Sequence, residues 1–349
     1  LNRAPVAVFT ESATTVLTGE VIYFNASGSY DPDGSIVNYF WTFGDGTNAT
    51  GITVSHTYVD NGTYIVTLTV RDNDGSTAST TATKTVLNRP PVASFTESAS
   101  IVLTGEVIYF DASASHDLDG SIISYFWNFG DGANATGVIT EHAYTNSGVY
   151  NVTLTVTDND GATASAVATK IVGNRPPTAI FTESAETVYT SEVITFNASS
   201  SYDPDGLIVS YLWNFGDGTN KTGVIVDHSY VNDGIYIVTL TVTDDDGATA
   251  STSATKTVLN RPPLASFVYS PDLPRANEIV TFNASDSYDP DGKIVSYIWD
   301  FGDGNITTVT KPTITHVYSA AGNYTVTLTV TDDDGLADTT IDIITIRES

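Results

Sequence analysis

The chain has 349 residues, a net charge of −28, and neither cysteine nor methionine. The lack of thiols excludes disulfides and thiolate metal sites. The strongly negative charge argues against nucleic acid as a partner, and no stretch is long and apolar enough to predict direct membrane insertion of this segment.

One motif recurs at a fixed spacing along the whole chain. Trp-x-Phe-Gly-Asp-Gly returns every 86 residues and contains all the tryptophans, which are Trp41, Trp127, Trp213 and Trp299. A fixed period of this length is typical of tandem structural repeats. It predicts four domains, residues 1–87, 88–173, 174–259 and 260–349. A catalytic site would need groups that one copy holds and the others lack, so the pattern predicts that the chain is not an enzyme.

Within each unit, the elements in chain order are predicted to be strands. Apolar and polar side chains alternate over residues 21–27 and again over residues 65–70 of the first unit. This period of two, rich in Val, Ile, Tyr and Thr, is typical of half-buried strands. Asp-x-Asp-Gly and Gly-Asp-Gly supply turns between them. The pattern predicts an all-β fold, with about seven strands in each immunoglobulin-like Greek-key β-sandwich.

Two aromatic positions define the predicted core. The four tryptophans are expected mid-strand between the two sheets. A tyrosine that follows Gly-x opens the strand facing each tryptophan and resembles the tyrosine corner of immunoglobulin-like sandwiches. These tyrosines are Tyr64, Tyr150, Tyr236 and Tyr324.

Together these motifs resemble the PKD domain, the polycystic-kidney-disease repeat. The resemblance rests on Asn/Asp-Ala-Ser, Asp-x-Asp-Gly, Trp-x-Phe-Gly-Asp-Gly, His-x-Tyr and Gly-x-Tyr, and it covers all four units. It implies an elongated array of extracellular β-sandwiches without enzymatic activity. Such arrays occur on archaeal surface-layer and adhesion proteins, and as accessory modules of secreted proteases and chitinases. Leu118 departs from the pattern, where the other units have proline.

Acidic turns form the candidate metal sites. In this topology both Asp-rich turns of a unit lie at the end where its first strand begins, beside the linker asparagine. Carboxylate and amide oxygens suit Ca²⁺, and the resemblance implies the same, because some PKD domains bind calcium there. The four predicted sets are Asn2, Asp31, Asp33, Asp72 and Asp74; Asn88, Asp117, Asp119, Asp158 and Asp160; Asn174, Asp203, Asp205, Asp244 and Asp246; and Asn260, Asp289, Asp291, Asp332 and Asp334.

An alternative explains the same turns without an ion. Asp-x-Asp-Gly is also a good turn sequence in which the carboxylates cap backbone N–H groups. The linker arginines could neutralise the acids instead; they are Arg3, Arg89, Arg175 and Arg261. Both interpretations remain open from the sequence. The aspartates of Gly-Asp-Gly are expected at the opposite end as turn residues, and the recurrent histidines are expected to be structural.

Asn-x-Ser/Thr triplets recur at two aligned positions and mark candidate N-glycosylation sites. One set follows Gly-Asp-Gly in every unit, at Asn48, Asn134, Asn220 and Asn305. The second set comprises Asn25, Asn197 and Asn283. The second unit has Asp111 at that position, so a strand-end polar group could be what the position requires. N-linked glycans are therefore expected mainly on the first set.

The sequence suggests three classes of function. The first is a glycosylated structural protein of the cell surface, in a surface layer, sheath, filament or adhesin stalk, whose partners are copies of itself or other surface proteins. The second is a substrate-binding or spacer region of a secreted protease or polysaccharide hydrolase. This role would need a repeated row of exposed aromatics, but Tyr23 and Tyr109 are replaced by Thr195 and Thr281 in the later units. The third, an enzyme, is disfavoured by the repetition.

Overall fold

The computed structural model describes residues 1–349, and all of its regular elements are β-strands. The chain divides into two compact units, Leu1–Asn174 and Arg175–Ser349. Each repeat is a sandwich of two separate sheets. The predicted fold class, tandem immunoglobulin-like β-sandwiches, is confirmed.

Repeat one contains a three-stranded sheet in the order β1-β3-β6 and a five-stranded sheet in the order β2-β8-β7-β4-β5. Its strands are β1 (Thr10–Glu11), β2 (Thr15–Leu17), β3 (Val21–Asn25), β4 (Ile36–Thr42), β5 (Asn48–Thr50), β6 (Thr53–Thr57), β7 (Gly62–Asp72) and β8 (Thr77–Leu87). It therefore has one strand more than the sequence predicts, because β1 and β2 are too short to show a period.

Repeats two and three have the same eight strands and the same two sheets. Repeat two contains β9 (Thr96–Glu97), β10 (Ile101–Leu103), β11 (Val107–Asp111), β12 (Ile122–Asn128), β13 (Asn134–Thr136), β14 (Ile139–Ala143), β15 (Gly148–Asp158) and β16 (Thr163–Gly173). Repeat three contains β17 (Thr182–Glu183), β18 (Thr187–Tyr189), β19 (Ile194–Asn197), β20 (Ile208–Asn214), β21 (Asn220–Thr222), β22 (Ile225–His228), β23 (Gly234–Asp244) and β24 (Thr249–Leu259).

Repeat four lacks the short strand that pairs in parallel with the last strand of the other repeats. Its second sheet has four strands, in the order β28-β27-β30-β31. A single bridge between Arg275 and Arg347 replaces the missing strand. Its strands are β25 (Val268–Ser270), β26 (Ile279–Asn283), β27 (Ile294–Asp300), β28 (Ile306–Val309), β29 (Thr313–Val317), β30 (Gly322–Asp332) and β31 (Ala337–Ile346).

The core of each sandwich is built around its tryptophan. Trp41 on β4 is fully buried, and its ring meets Phe9 edge-on with the ring centroids 5.1 Å apart. The indole Nε1–H donates to the carbonyl of Gly51 at 2.9 Å, which satisfies the one polar atom of the ring. Trp127 and Trp213 make the same bond, whereas Trp299 Nε1 is buried without a partner.

Each repeat has two core tyrosines, which differ in how deeply they are buried. Tyr64 is partly buried, and its hydroxyl donates to the carbonyl of Asp60 at 2.9 Å, which is the bond expected of a tyrosine corner. The fully buried tyrosine is Tyr58 of the His-x-Tyr motif, whose hydroxyl donates to Phe43 O at 2.8 Å. The sequence analysis did not single out this second tyrosine.

A lysine is buried between the sheets of the first three repeats. Lys84 on β8 is fully buried and forms an ion pair with Glu11 of β1 on the opposite sheet. Lys170 with Glu97 and Lys256 with Glu183 repeat this pair. Repeat four has no equivalent, because the buried Ile344 occupies the lysine position on its last strand.

Candidate functional site

The two acidic turns of each repeat meet at one end of the sandwich. In repeat one the turn of Asp31 joins β3 to β4, and the turn of Asp72 joins β7 to β8. The turns are hydrogen-bonded to each other, because Ser35 N donates to Asn73 Oδ1 at 2.9 Å and Asn73 N donates to Ser35 O at 3.1 Å. The structure thus brings together the acidic residues that the sequence analysis grouped.

The third aspartate of each set is a buried turn cap. Asp72 is 1% exposed, and its carboxylate accepts hydrogen bonds from Asn2 Nδ2 at 3.0 Å, from Asp74 N at 3.0 Å and from Ser76 N at 2.8 Å. The hydrogen bond from Asn2 and the bonds from the backbone lower the pKa of Asp72 despite desolvation. This geometry matches the turn-capping alternative for Asp72.

The same cap is built in the other repeats. Asp158 accepts from Asn88 Nδ2 at 2.8 Å, and Asp332 accepts from Asn260 Nδ2 at 2.9 Å. Asp244 accepts from Ala248 N at 2.7 Å. The fourth aspartate of each set is exposed at the tip of its turn; these residues are Asp74, Asp160, Asp246 and Asp334.

In repeat two, the surroundings of the first two aspartates of the set shift their pKa values in opposite directions. Burial raises the pKa of Asp117, and the negative charges of Asp119 and Asp158 raise it further. Burial also acts to raise the pKa of Asp119, but hydrogen bonds from Thr18 and from the backbone of Arg89 outweigh it and lower that pKa. Asp289 has its pKa raised in the same way in repeat four. Of the two carboxyls, Asp117 is therefore the one whose charged form its surroundings disfavour.

Several oxygen atoms at this end of repeat two are buried without a hydrogen-bond partner. They are Oδ1 of Asn88, Oδ2 of Asp117 and Oδ1 of Asp119. Such atoms fit a hard cation, which prefers oxygen ligands. The carboxylates are nevertheless not arranged as a complete site, because no group of three His, Cys, Asp or Glu side chains could hold a metal ion in this structure.

A clamp of three residues joins repeat one to repeat two inside the unit Leu1–Asn174. Thr18, in the turn after β2, is 1% exposed, and its hydroxyl donates to the carboxylate of Asp119. Arg89, in the linker, donates two further hydrogen bonds. Its Nε–H donates to Thr18 O at 2.7 Å, and its backbone N–H donates to Asp119 at 2.9 Å. Charged hydrogen bonds of this kind are the stronger ones in proteins.

The unit Arg175–Ser349 contains an equivalent clamp between repeats three and four. The Thr190 hydroxyl donates to Asp291, and Arg261 Nε donates to Thr190 O at 3.1 Å. The Arg261 guanidinium also lies 3.3 Å from Glu192 and 5.6 Å from the ring centre of Tyr189. The sequence analysis missed the threonine, although Thr-Gly-Glu or Thr-Ser-Glu recurs in repeats one to three.

The opposite end of each repeat holds an Asp–His pair. Asp45 Oδ2 lies 2.6 Å from His56 Nε2, and the His56 ring stacks on Phe43 with the centroids 4.0 Å apart. Asp45 Oδ1 accepts from Thr47 N at 3.0 Å, so this residue also caps its turn. The other pairs are His142 with Asp131, His228 with Asp217, and His316 with Asp303.

The two sets of asparagines differ in their surroundings. Asn48 and Thr50 are exposed on β5, the edge strand of the five-stranded sheet. Asn134, Asn220 and Asn305 are also exposed. In the second set the side chain caps the strand end, since Asn25 Oδ1 accepts from Ser27 N at 2.9 Å. Asp111 accepts from Ser113 N at 2.8 Å in the same way, so the capping at this position does not require asparagine.

The fold and the repeated acidic turns define a tandem immunoglobulin-like repeat protein. The family described as PKD domain matches residues 2–87, 88–172, 174–259 and 260–346. The chain therefore belongs to the PKD domain family.

Known relatives extend beyond the region that this chain matches. The dyslexia-associated protein KIAA0319 of Homo sapiens is 32% identical over 381 residues, which is 97% of this chain and 35% of that protein. The pre-pro-metalloprotease PrtV of Vibrio cholerae is 37% identical over 136 residues, 39% of this chain and 14% of that protein. The chain thus spans about a third or less of these relatives.

Solved structures also resemble single repeats. The crystal structure of the PKD1 domain of Vibrio anguillarum Epp is 36% identical and covers 26% of this chain and 100% of that domain, with a TM-score of 0.23. The structure of this chain contains no helix with the length and apolarity that a membrane span requires.

Proposed function

We propose that the chain is a non-enzymatic extracellular structural segment, in which glycosylated PKD repeats build a cell-surface layer, sheath, filament or adhesin stalk. The observation that carries the proposal is the clamp, in which Thr18 and Thr190 bind the acidic turn of the following repeat. Charged hydrogen bonds across a short Pro-rich linker restrain the movement of one repeat against the next. Restrained repeats serve a load-bearing or spacing role.

The test is electron microscopy of the native cell surface with an antibody against this chain. The proposal predicts label on an ordered lattice, sheath or fibre of the cell, in which copies of the chain or other surface proteins are its partners. Chain found free in the medium and joined to a catalytic domain would contradict it. An antibody against a cytosolic protein is the matched control for label that leaks from broken cells.

We further propose that Ca²⁺ binds at the acidic ends of the repeats, with Asn88, Asp117 and Asp119 among the ligands in repeat two. Their unpartnered oxygens support this, and the ion would offset the burial and the repulsion from Asp119 and Asp158 that together raise the pKa of Asp117. Calorimetry should show Ca²⁺ raising the melting temperature of the chain. Asp117→Asn should lose most of this effect for repeat two, whereas Asp60→Asn, at an exposed position, should retain it. Equal responses in both variants would contradict the site.

N-linked glycans are proposed on the four exposed asparagines of the first set. Asn48 and Thr50 both lie on an edge strand, so a glycan there would also block pairing with another sheet. Mass spectrometry of the native protein after endoglycosidase treatment tests occupancy. The proposal predicts modification at Asn48, Asn134, Asn220 and Asn305 ahead of Asn25, Asn197 and Asn283.

A second candidate function is an accessory region of a secreted protease or polysaccharide hydrolase. The similarity to the Vibrio cholerae metalloprotease favours it. Tyr23 and Tyr109 are 64% and 56% exposed and could contact a polymer. The chain should then be retained on insoluble collagen or chitin, and a Tyr23→Ala, Tyr109→Ala variant should not. Failure of the unaltered chain to bind any such polymer would dismiss this candidate.

A further inference from the structure

The buried lysine of the first three repeats has a single partner. Lys84 is fully buried, and its ammonium contacts the carboxylate of Glu11, whose side chain is 16% exposed. Nζ of Lys84 and Oε2 of Glu11 make no hydrogen bond to any other group. Each of these repeats thus isolates one amine with one carboxyl group. The other two pairs are Lys170 with Glu97 and Lys256 with Glu183.

Aromatic side chains lie around the pair. Glu11 on β1 lies opposite Phe24 in its sheet, and Lys84 on β8 lies opposite Tyr64 in the other sheet. In repeat two the ammonium of the buried lysine lies 5.9 Å from the centre of the Phe110 ring. Such surroundings solvate charge poorly, so two opposite charges kept there carry a large desolvation cost. A reaction that removes both charges is therefore favoured at this place.

An amide would also suit the hydrogen-bonding capacity of this interior better than the ion pair does. An ammonium presents three N–H donors, but the surroundings of Lys84 offer it one acceptor group, the carboxylate of Glu11. An amide presents one N–H and one C=O. Fewer polar groups would then remain buried without a partner, and each such group costs free energy.

We propose that each of these lysines condenses with its glutamate after the repeat has folded, forming an amide between Nζ of the lysine and Cδ of the glutamate. Nζ passes one proton to the carboxylate, and the neutral amine then attacks Cδ. A C–N bond forms, one C–O bond breaks, and the released oxygen leaves as water with two of the three ammonium protons. The third proton stays on the amide nitrogen, and no oxidant or reductant is needed.

The fold supplies both the proximity for this step and an exit for the water. Lys84 and Glu11 are in contact, and such contact gives an intramolecular reaction a high effective concentration. Glu11 lines a surface cavity with Thr10 and Tyr23, so the released water can reach solvent. Because both groups must first become neutral, the step is slower than folding. Newly folded chain therefore holds the ion pair, and the amide accumulates with time.

The bond would join the two sheets of a repeat through its first and last strands. Glu11 lies on β1 and Lys84 on β8, and the pair in repeat three is separated by 73 residues. Force applied to the ends of such a repeat would pass through the bond instead of the hydrogen bonds of the sandwich. Repeat four has Ile344 and Tyr269 at these positions and cannot form the bond. This inference goes beyond the proposed cell-surface function and does not depend on it.

Intact mass spectrometry of the purified full chain, sampled during incubation at neutral pH, measures the reaction. Each bond lowers the mass by about 18 Da, the mass of one water, so complete reaction of three repeats lowers it by about 54 Da. Lys84→Ile combined with Glu11→Tyr gives repeat one the residues of repeat four, and this variant should lose two waters. Lys311→Ile removes an exposed lysine of repeat four, and this control should still lose three.

Peptide mapping assigns the lost water, because cyclisation at the Asp-Gly turns lowers the mass by the same amount. Trypsin should fail to cleave the denatured, incubated chain after the three buried lysines. In repeat one the peptide with Lys84 should stay joined to the peptide with Glu11, although Arg71 between them is cleaved.

Cleavage after all three lysines, or water loss confined to the Asp-Gly turns, would overturn the proposal. Deamidation of Asn61, which precedes Gly62, is a slow reaction that serves as a clock in the same sample. A chain that still has all its waters when this deamidation is complete would also overturn it.

Discussion

Repeats one to three and repeat four fill the same place between their sheets in two different ways. The first three use a buried lysine paired with glutamate, as in Lys84 and Glu11. Repeat four has Ile344 opposite Tyr324 where Lys84 lies opposite Tyr64. It has Tyr269 opposite Phe282 where Glu11 lies opposite Phe24.

The comparison indicates that the buried lysine and its glutamate behave as one unit. Both members of the ion pair are replaced together, and both replacements are apolar or aromatic. Separating one charge from its partner in the interior is costly, whereas exchanging the whole pair for well-packed hydrophobic residues is often neutral or stabilising. Repeat four thus provides, within the same chain, a natural version of the double substitution.

The largest expected effect comes from breaking one ion pair. Lys84→Ala would leave the carboxylate of Glu11 mostly buried without its cation, and we expect a loss of about 3–5 kcal/mol. A repeat of this size should then melt more than about 10 °C lower, as measured by differential scanning calorimetry. Ile344→Ala, at the matched and fully buried position of repeat four, shows the cost of a cavity without an unpaired charge, about 2–5 kcal/mol. A loss of less than about 1 kcal/mol in the free energy of unfolding for Lys84→Ala would contradict this account of the ion pair.

Replacing both members of the ion pair together should not destabilise repeat one. Lys84→Ile combined with Glu11→Tyr gives repeat one the residues of repeat four, and we expect anything from no change to about 4 kcal/mol of added stability. Urea unfolding of both single variants and the double variant gives the coupling between the two sites. Additive single effects would mean that the two residues do not act as a unit.

A smaller difference is expected at the tryptophans. Trp41→Phe removes the bond from the indole to Gly51, whereas Trp299→Phe removes a buried donor that has no partner. The two substitutions leave similar cavities, so the difference in their cost should be about 1–2 kcal/mol, with Trp41→Phe the more damaging. Calorimetry of the two variants checks the order. Equal costs would show that the missing bond of Trp299 has no energetic consequence.

The smallest effect concerns the Asp–His pair, which all four repeats share. Burial acts to raise the pKa of Asp45, but hydrogen bonds from Thr47 and His56 outweigh it and hold that pKa below its usual value. A carboxyl whose pKa is lower in the folded state adds stability above the unfolded pKa of about 4, and this is lost as the pH falls through the folded pKa. Asp45→Asn should therefore lower the melting temperature at pH 6 and converge with the unaltered chain near pH 2.

The outcome for Asp45 depends on a matched control at an exposed carboxylate. Asp60→Asn removes one exposed negative charge without touching the Asp–His pair and serves as that control. The lowered pKa of Asp45 would be contradicted if the difference in melting temperature between Asp45→Asn and the unaltered chain stayed the same down to pH 2.

Strand period and turn chemistry made the fold and the grouping of the acidic turns predictable. The alternation at residues 21–27 and the Asp-x-Asp-Gly turns are local signals, and they suffice for a repeated sandwich. Strands of two or three residues, such as β1 and β2, carry no readable period. They contribute Glu11 and lead into Thr18, which is why the ion pair and the clamp escaped the sequence analysis.

The sequence nevertheless contained a signal for the ion pair, in the joint occurrence of its two residues. Glu11 and Lys84 stand far apart in sequence but recur together in three repeats, and both are missing from the fourth. Comparison of the repeats with one another would have paired them. The choice between turn capping and an ion at the acidic ends needed coordinates, because only the structure places Asn2 against Asp72 and leaves Oδ2 of Asp117 buried without a partner.

The central claim is that the clamp holds one repeat against the next, and the lack of cysteine makes a direct test simple. Spin labels on Thr81→Cys and Val167→Cys, at exposed and equivalent positions of repeats one and two, report their separation by pulsed electron spin resonance. The account predicts one narrow distance distribution, which broadens when Thr18→Ala is added. A broad distribution in both proteins, or one equally narrow in both, would contradict it.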